Sequence, residues 1–85
     1  MPQSVYTDAY STLVDVLVSH RRRSGLTQAE LAERLGRPQS FVSKVEQRQR
    51  RVDVIEFCAI ARALGVDPAK LFGELLGQIP DRLRI

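Results

Sequence analysis

Apolar residues recur along this chain at intervals of three and four, in five blocks separated by glycine, proline or short polar breaks. That spacing puts apolar side chains on one face of a helix and predicts an all-α fold. The first block runs from Thr7 or Asp8 to about Arg23. Tyr6, Tyr10, Leu13, Leu17 and then His20 or Arg21 form its stripe, and Val14 and Val18 widen it. Arg21, Arg22 and Arg23 close the block where a helix dipole is negative, and Ser24-Gly25 interrupts it.

The second block carries its own start and stop signals. Thr27 followed by Glu30 is a capping box, in which each side chain bonds the other's backbone amide. Leu31 and Leu35 share a face with Ala32, whose small side chain lets another helix come close. Gly36 suits the left-handed end of a helix, and Pro38 stops the same helix from running on. A third block begins around Gln39, with Phe41, Val42 and Val45 apolar and Gln39, Ser40, Ser43, Lys44 and Gln47 polar. Asp53 and Glu56 make a second capping box, after which Ile55, Phe57, Cys58, Ile60, Ala61 and Leu64 are dense enough to predict a largely buried helix ending at Gly65. Asp67-Pro68 starts a fifth helix with Leu71, Phe72, Leu75 and Leu76 as its apolar face. The expected organisation is one domain over residues 1–85, with a core over about 8–76 and a tail over 77–85. Ile79, Leu83 and Ile85 of that tail either fold back on the domain or supply a two-fold contact.

Eighty-five residues of which 44% are hydrophobic suffice for one small domain. With three Phe, two Tyr and no Trp, its core rests on Leu, Val, Ile and Ala. One Cys and one His cannot build a zinc site or an internal disulfide, so dimerisation is the expected extra source of stability. Cys58 reads as a small core residue, and His20 as a packed or surface histidine rather than a ligand. No Ser-His-acid or Cys-His set, metal-ligand cluster or phosphate-cradling glycine loop is present, so neither an enzyme nor a metal or other cofactor is expected. The N-terminus MPQSVYTDAY lacks a basic stretch followed by an apolar run, and LVDVLV is too short to span a bilayer and contains Asp15. A cytoplasmic protein without a membrane partner is the expectation.

Charge sharpens the picture. The net value of +3 divides into −2 over residues 1–19, +6 over 20–51 and −1 over 52–85. The positive segment is the one holding the second and third blocks, as an electrostatic footprint for phosphate requires, although a solvated basic surface has the same signature. The polar face of the third block adds amides, hydroxyls and an amine. Gln can bond adenine bidentately, Lys can donate to guanine acceptors, and Ser can bond bases or phosphates. Two short helices joined by a glycine-containing turn make a helix-turn-helix, whose second helix can enter the DNA major groove. The same stretch, taken alone, also fits a plain helical hairpin.

The spacing from Gln28 through Ala32 and Gly36 to Val42 and Val45 resembles the phage-repressor-like, or XRE-type, helix-turn-helix family. The resemblance runs over about residues 10–76 and includes the segment QRRVD. It implies a compact five-helix domain that binds double-stranded DNA as a regulator, typically a repressor, and as a homodimer on a palindromic operator. By position in the family and by side-chain chemistry, Gln39, Ser40, Ser43 and Lys44 are candidates for base readout. Gln28, Gln47, Arg48, Arg50 and Arg51 are candidates for phosphate contact, with internal salt bridges as the alternative for Arg50 and Arg51. Arg22 and Arg23 are either solvated or phosphate-facing. The resemblance also pairs Arg21 with Glu46 in a partly buried ion pair that sets the angle of the reading helix. Relatives often carry glycine at the position of Arg48, so the backbone there either differs from theirs or tolerates a positive dihedral at some cost. Three other roles share the pattern: an antitoxin that also binds a toxin, a restriction-modification controller, and a protein-interaction module that keeps the fold. The clustered charge disfavours the last.

Overall fold

The two capping boxes set where two of the helices begin. In a computed structural model describing residues 8–83, the amide of Glu30 donates to Thr27 Oγ1 at 3.1 Å and the amide of Thr27 donates to Glu30 Oε1 at 2.9 Å. Asp53 and Glu56 repeat the exchange at 2.7 and 3.0 Å. The helices are α1 (Asp8–Arg23), α2 (Gln28–Leu35), α3 (Gln39–Glu46), α4 (Val54–Ala63) and α5 (Pro68–Leu76), with no strand among the described residues. Gly36 takes φ 66° after α2, and the amide of Arg37 donates to Ala32 O, which closes that helix in the expected left-handed turn. Tyr6, Thr7 and Ile85, on which the sequence pattern also drew, lie outside the described residues.

The core is built where α3 packs on α2 and α1, α2 on α4, and α5 on both α4 and α1. Leu17, Leu31, Val42, Val45, Ile60, Ala61 and Leu71 are buried at its centre. Ala32 is buried with them, on the helix that packs against both α3 and α4.

Two expectations about apolar faces need correction. Val16, outside the expected stripe, is buried, because α1 packs against α5 as well as α3 and so buries a wider arc. His20 lies toward the same side, with Nε2 at 3.0 Å from Glu74 Oε1 on α5. The fourth helix is less buried than its composition suggested. Val54 and Ile55 are each 76% exposed, Cys58 is half-buried, and on α5 Phe72 and Leu76 are exposed while Leu71 and Leu75 point inward. Both helices carry more apolar surface than one small core can cover. In the tail, Ile79 is half-buried and Leu83 exposed.

Candidate nucleic-acid interface

Burial of Phe41, Val42 and Val45 fixes which side of α3 faces out. Gln39, Ser40, Lys44 and Gln47 are exposed on that outer side, and Ser43 is half-buried among them, accepting a hydrogen bond from Gln47 Nε2 at 3.2 Å. None of these polar groups is drawn into an ion pair among the described residues. The chain has thus placed an amide, hydroxyl and amine surface on a helix whose other side is anchored in the core.

A buried polar cluster at the end of α3 holds it in place. Arg21 Nε donates to Glu46 Oε2 at 2.6 Å and Nη2 to Oε1 at 2.9 Å, while Nη1 donates to Leu26 O at 2.8 Å. The two side chains are only 10% and 11% exposed. Gln28 Nε2 adds a third donor to Glu46 Oε1 at 2.9 Å. The hydrogen bond to Glu46 and its negative charge raise the Arg21 pKa, against the opposing effect of burial. One carboxylate therefore joins the end of α1, the start of α2 and the end of α3, and Gln28 has this structural partner besides any it finds outside.

The loop after α3 is pinned by its own arginines. Arg48 has φ 62°, the left-handed conformation in which a side chain is uncommon. Its guanidinium makes four hydrogen bonds among the described residues: Nε donates to Ser11 Oγ at 2.7 Å, Nη2 to Ser11 O at 3.2 Å and to Asp15 Oδ1 at 2.5 Å, and Nη1 to Glu46 O at 3.2 Å. Arg50 meets Glu56 through two bonds of 2.9 Å and also donates to Arg51 O at 2.8 Å. This pairing raises the Arg50 pKa and holds the Glu56 carboxyl below its usual range. Arg51 lies 4.8 Å from the Tyr10 ring centroid. Tyr10 Oη accepts from the amide of Val52 at 3.0 Å and donates to Arg50 O at 3.4 Å, so α1 holds both margins of the loop.

The sequence reading passed over Arg37, Ser11, the hydroxyl of Tyr10 and the second role of Glu56. Arg37 lies in the turn before α3, 4.8 Å from the Phe41 ring centroid, with Nη2 3.8 Å from Glu56 Oε2. Arg50 approaches the same ring at 4.7 Å. The available signal was a cation directly before the proline that opens the reading helix. Among the described residues no group of three His, Cys, Asp or Glu side chains could hold a metal, and no helix is long and apolar enough to cross a membrane.

Comparison with known proteins agrees with this arrangement. Residues 12–71 match the sequence profile of the helix-turn-helix domain family. The uncharacterized HTH-type transcriptional regulator y4dJ of Sinorhizobium fredii (strain NBRC 101917 / NGR234) is 41% identical over 51 residues, and the match spans 60% of this chain and 66%, just under two thirds, of that relative. The XRE-family like protein from Pseudomonas syringae pv. tomato str. DC3000 is 51% identical and superposes with a TM-score of 0.81 over 86% of this chain and 89% of that one. The wild-type restriction-modification controller protein C.Esp1396I superposes with a TM-score of 0.78 over 86% of this chain and 95% of that one, a likeness of fold at 22% identity.

Proposed function

This chain belongs to the XRE family of helix-turn-helix transcriptional regulators, and from that premise we propose that it binds double-stranded DNA sequence-specifically through α3. In this reading it acts in the cytoplasm as a homodimer on a palindromic operator and represses transcription. The carrying observation is the outward face of α3, whose Gln39, Ser40 and Lys44 are exposed and free of internal ion pairs while the helix behind them is fixed by Arg21, Gln28 and Glu46. These groups, with Ser43, match the donors and acceptors that base edges present in the major groove. Gln28, Gln47 and Arg51 serve as backbone contacts. Arg48 and Arg50 act mainly by shaping the loop, since Asp15 and Glu56 already hold their guanidinium groups.

The exposed apolar side chains of α4 and α5 support the homodimer. Val54 on α4 and Phe72 on α5 line one shallow apolar hollow with Leu13, Phe57 and Leu75, a surface that a two-fold copy would cover.

The deciding experiment is a fluorescence-anisotropy titration of the protein against the DNA upstream of its own gene and against a scrambled duplex, at two salt concentrations. Preference for the upstream DNA by on the order of a thousandfold, weakening steeply with salt, is the expected result. Equal, weak binding to both would turn the reading toward a protein-binding role for the apolar face.

A further inference from the structure

Arg22 and Arg23 end α1 with exposed side chains and have no ion-pair partner among the described residues. They line an open hollow of about 510 Å³ together with Val18, Ser19, Asp15, Glu46 and Arg48. The two acids facing this hollow are already matched, Asp15 by Arg48 and Glu46 by Arg21. The positive field over it therefore comes from Arg22 and Arg23. The hollow lies beside Glu46, the last residue of α3.

At the other end of the same helix stands Arg37, two positions before Gln39. Its side chain is 49% exposed and meets Glu56 only at 3.8 Å, whereas Arg50 already occupies both oxygens of that carboxylate. Arg37 also lies over the Phe41 ring at 4.8 Å, but no close hydrogen-bonded ion pair among the described residues fixes its guanidinium, so it can turn toward an anion. Eight residues of helix rise about 12 Å, which is close to the width of the major groove, about 12 Å. With α3 in the groove, cations at its two ends stand far enough apart to meet phosphates on different strands.

We propose that Arg22 and Arg23 hold the sugar-phosphate strand at one edge of the groove and Arg37 holds the strand at the other, seating α3 between them. The inference rests on the DNA-binding reading above and shifts the phosphate contacts away from Arg48 and Arg50. Each engaged phosphate releases counterion, so each cation contributes roughly 0.9 to the slope of log affinity against log salt.

The test is that slope, measured by anisotropy on a short mixed-sequence duplex between about 50 and 200 mM salt. The protein is compared with Arg22→Ala/Arg23→Ala, Arg22→Lys/Arg23→Lys and Arg37→Ala, with circular dichroism to verify that each is folded. The alanine pair is expected to lower the slope by about 2 for each bound protomer and Arg37→Ala by about 1, while the lysine pair keeps it. An unchanged slope in a folded alanine pair overturns the clamp and leaves the DNA-binding reading standing. If the unsubstituted protein binds neither this duplex nor its upstream DNA at low salt, the DNA-binding reading falls and the clamp with it.

Discussion

Arg21 and Glu46 face each other from α1 and α3 through two hydrogen bonds, at 2.6 and 2.9 Å, with barely a tenth of either side chain exposed. A carboxylate so placed depends on its partner, because burial without the guanidinium leaves a charge that water cannot reach. Arg21→Ala is expected to cost about 3–5 kcal/mol. In a domain of this size the thermal midpoint then falls by at least about 10 °C. An unchanged midpoint would refute the anchoring role of this pair.

Arg48 combines an unfavourable backbone with a favourable side chain. Removing the guanidinium loses the links to Ser11 and Asp15, and only glycine also relieves the left-handed φ. Arg48→Gly is therefore expected to be more stable than Arg48→Ala by about 1 kcal/mol, read from urea midpoints. Equal midpoints would show that the backbone there is not strained by a side chain.

Stability should fall in acid for a reason that two glutamates share. Hydrogen bonds from Arg50 and the Asp53 amide hold Glu56 below the ordinary value of 4.5, and bonds from the Thr27 amide and hydroxyl do the same for Glu30. The unfolded chain takes up these protons first. Their contribution is complete above 4.5 and is lost as pH falls from there through the lower folded-state values. Denaturant midpoints measured across that range should decline with acid, and Glu56→Gln should flatten the decline.

Gln39→Ala separates reading from holding. It is expected to cost about 1–3 kcal/mol on the operator, confined to one base-pair position, and to leave affinity for random DNA unchanged. Equal weakening on both duplexes would remove Gln39 from the base-reading set.

The dimer surface can be tested without disturbing the core. Val54 is 76% exposed, so Val54→Glu should leave the helical content intact. Sedimentation should then show a dimer for the unaltered chain and a monomer for the variant; a monomer in both cases would discard the α4 and α5 surface as the contact.

Most of the helices were readable in the sequence because their ends are governed by local chemistry. Thr27 with Glu30, Asp53 with Glu56 and Gly36 all act within a few residues, and each does in the structure what its spacing implied. The Arg21–Glu46 pair was legible only through family resemblance, since nothing local ties residues 25 positions apart. Burial was harder. Periodicity marks a face but not what will cover it, so Ile55 and Phe72 were assigned inward and Val16 was missed. The loop arginines show the same limit: a run of cations records charge, while Asp15, 33 positions before Arg48, decides how much of it remains available.

Glu56 caps α4 by accepting the amide of Asp53 on Oε1, and grips Arg50 with that oxygen and with Oε2. The first turn of α4 and the loop before it therefore share a fastening, so that opening of one loosens the other. In deuterium exchange, the amides of Asp53 and Phe57 should become labelled at one common rate with those of the loop, as a single unit of local unfolding. Glu56→Gln should quicken that whole unit while leaving the protection of α2 unaltered.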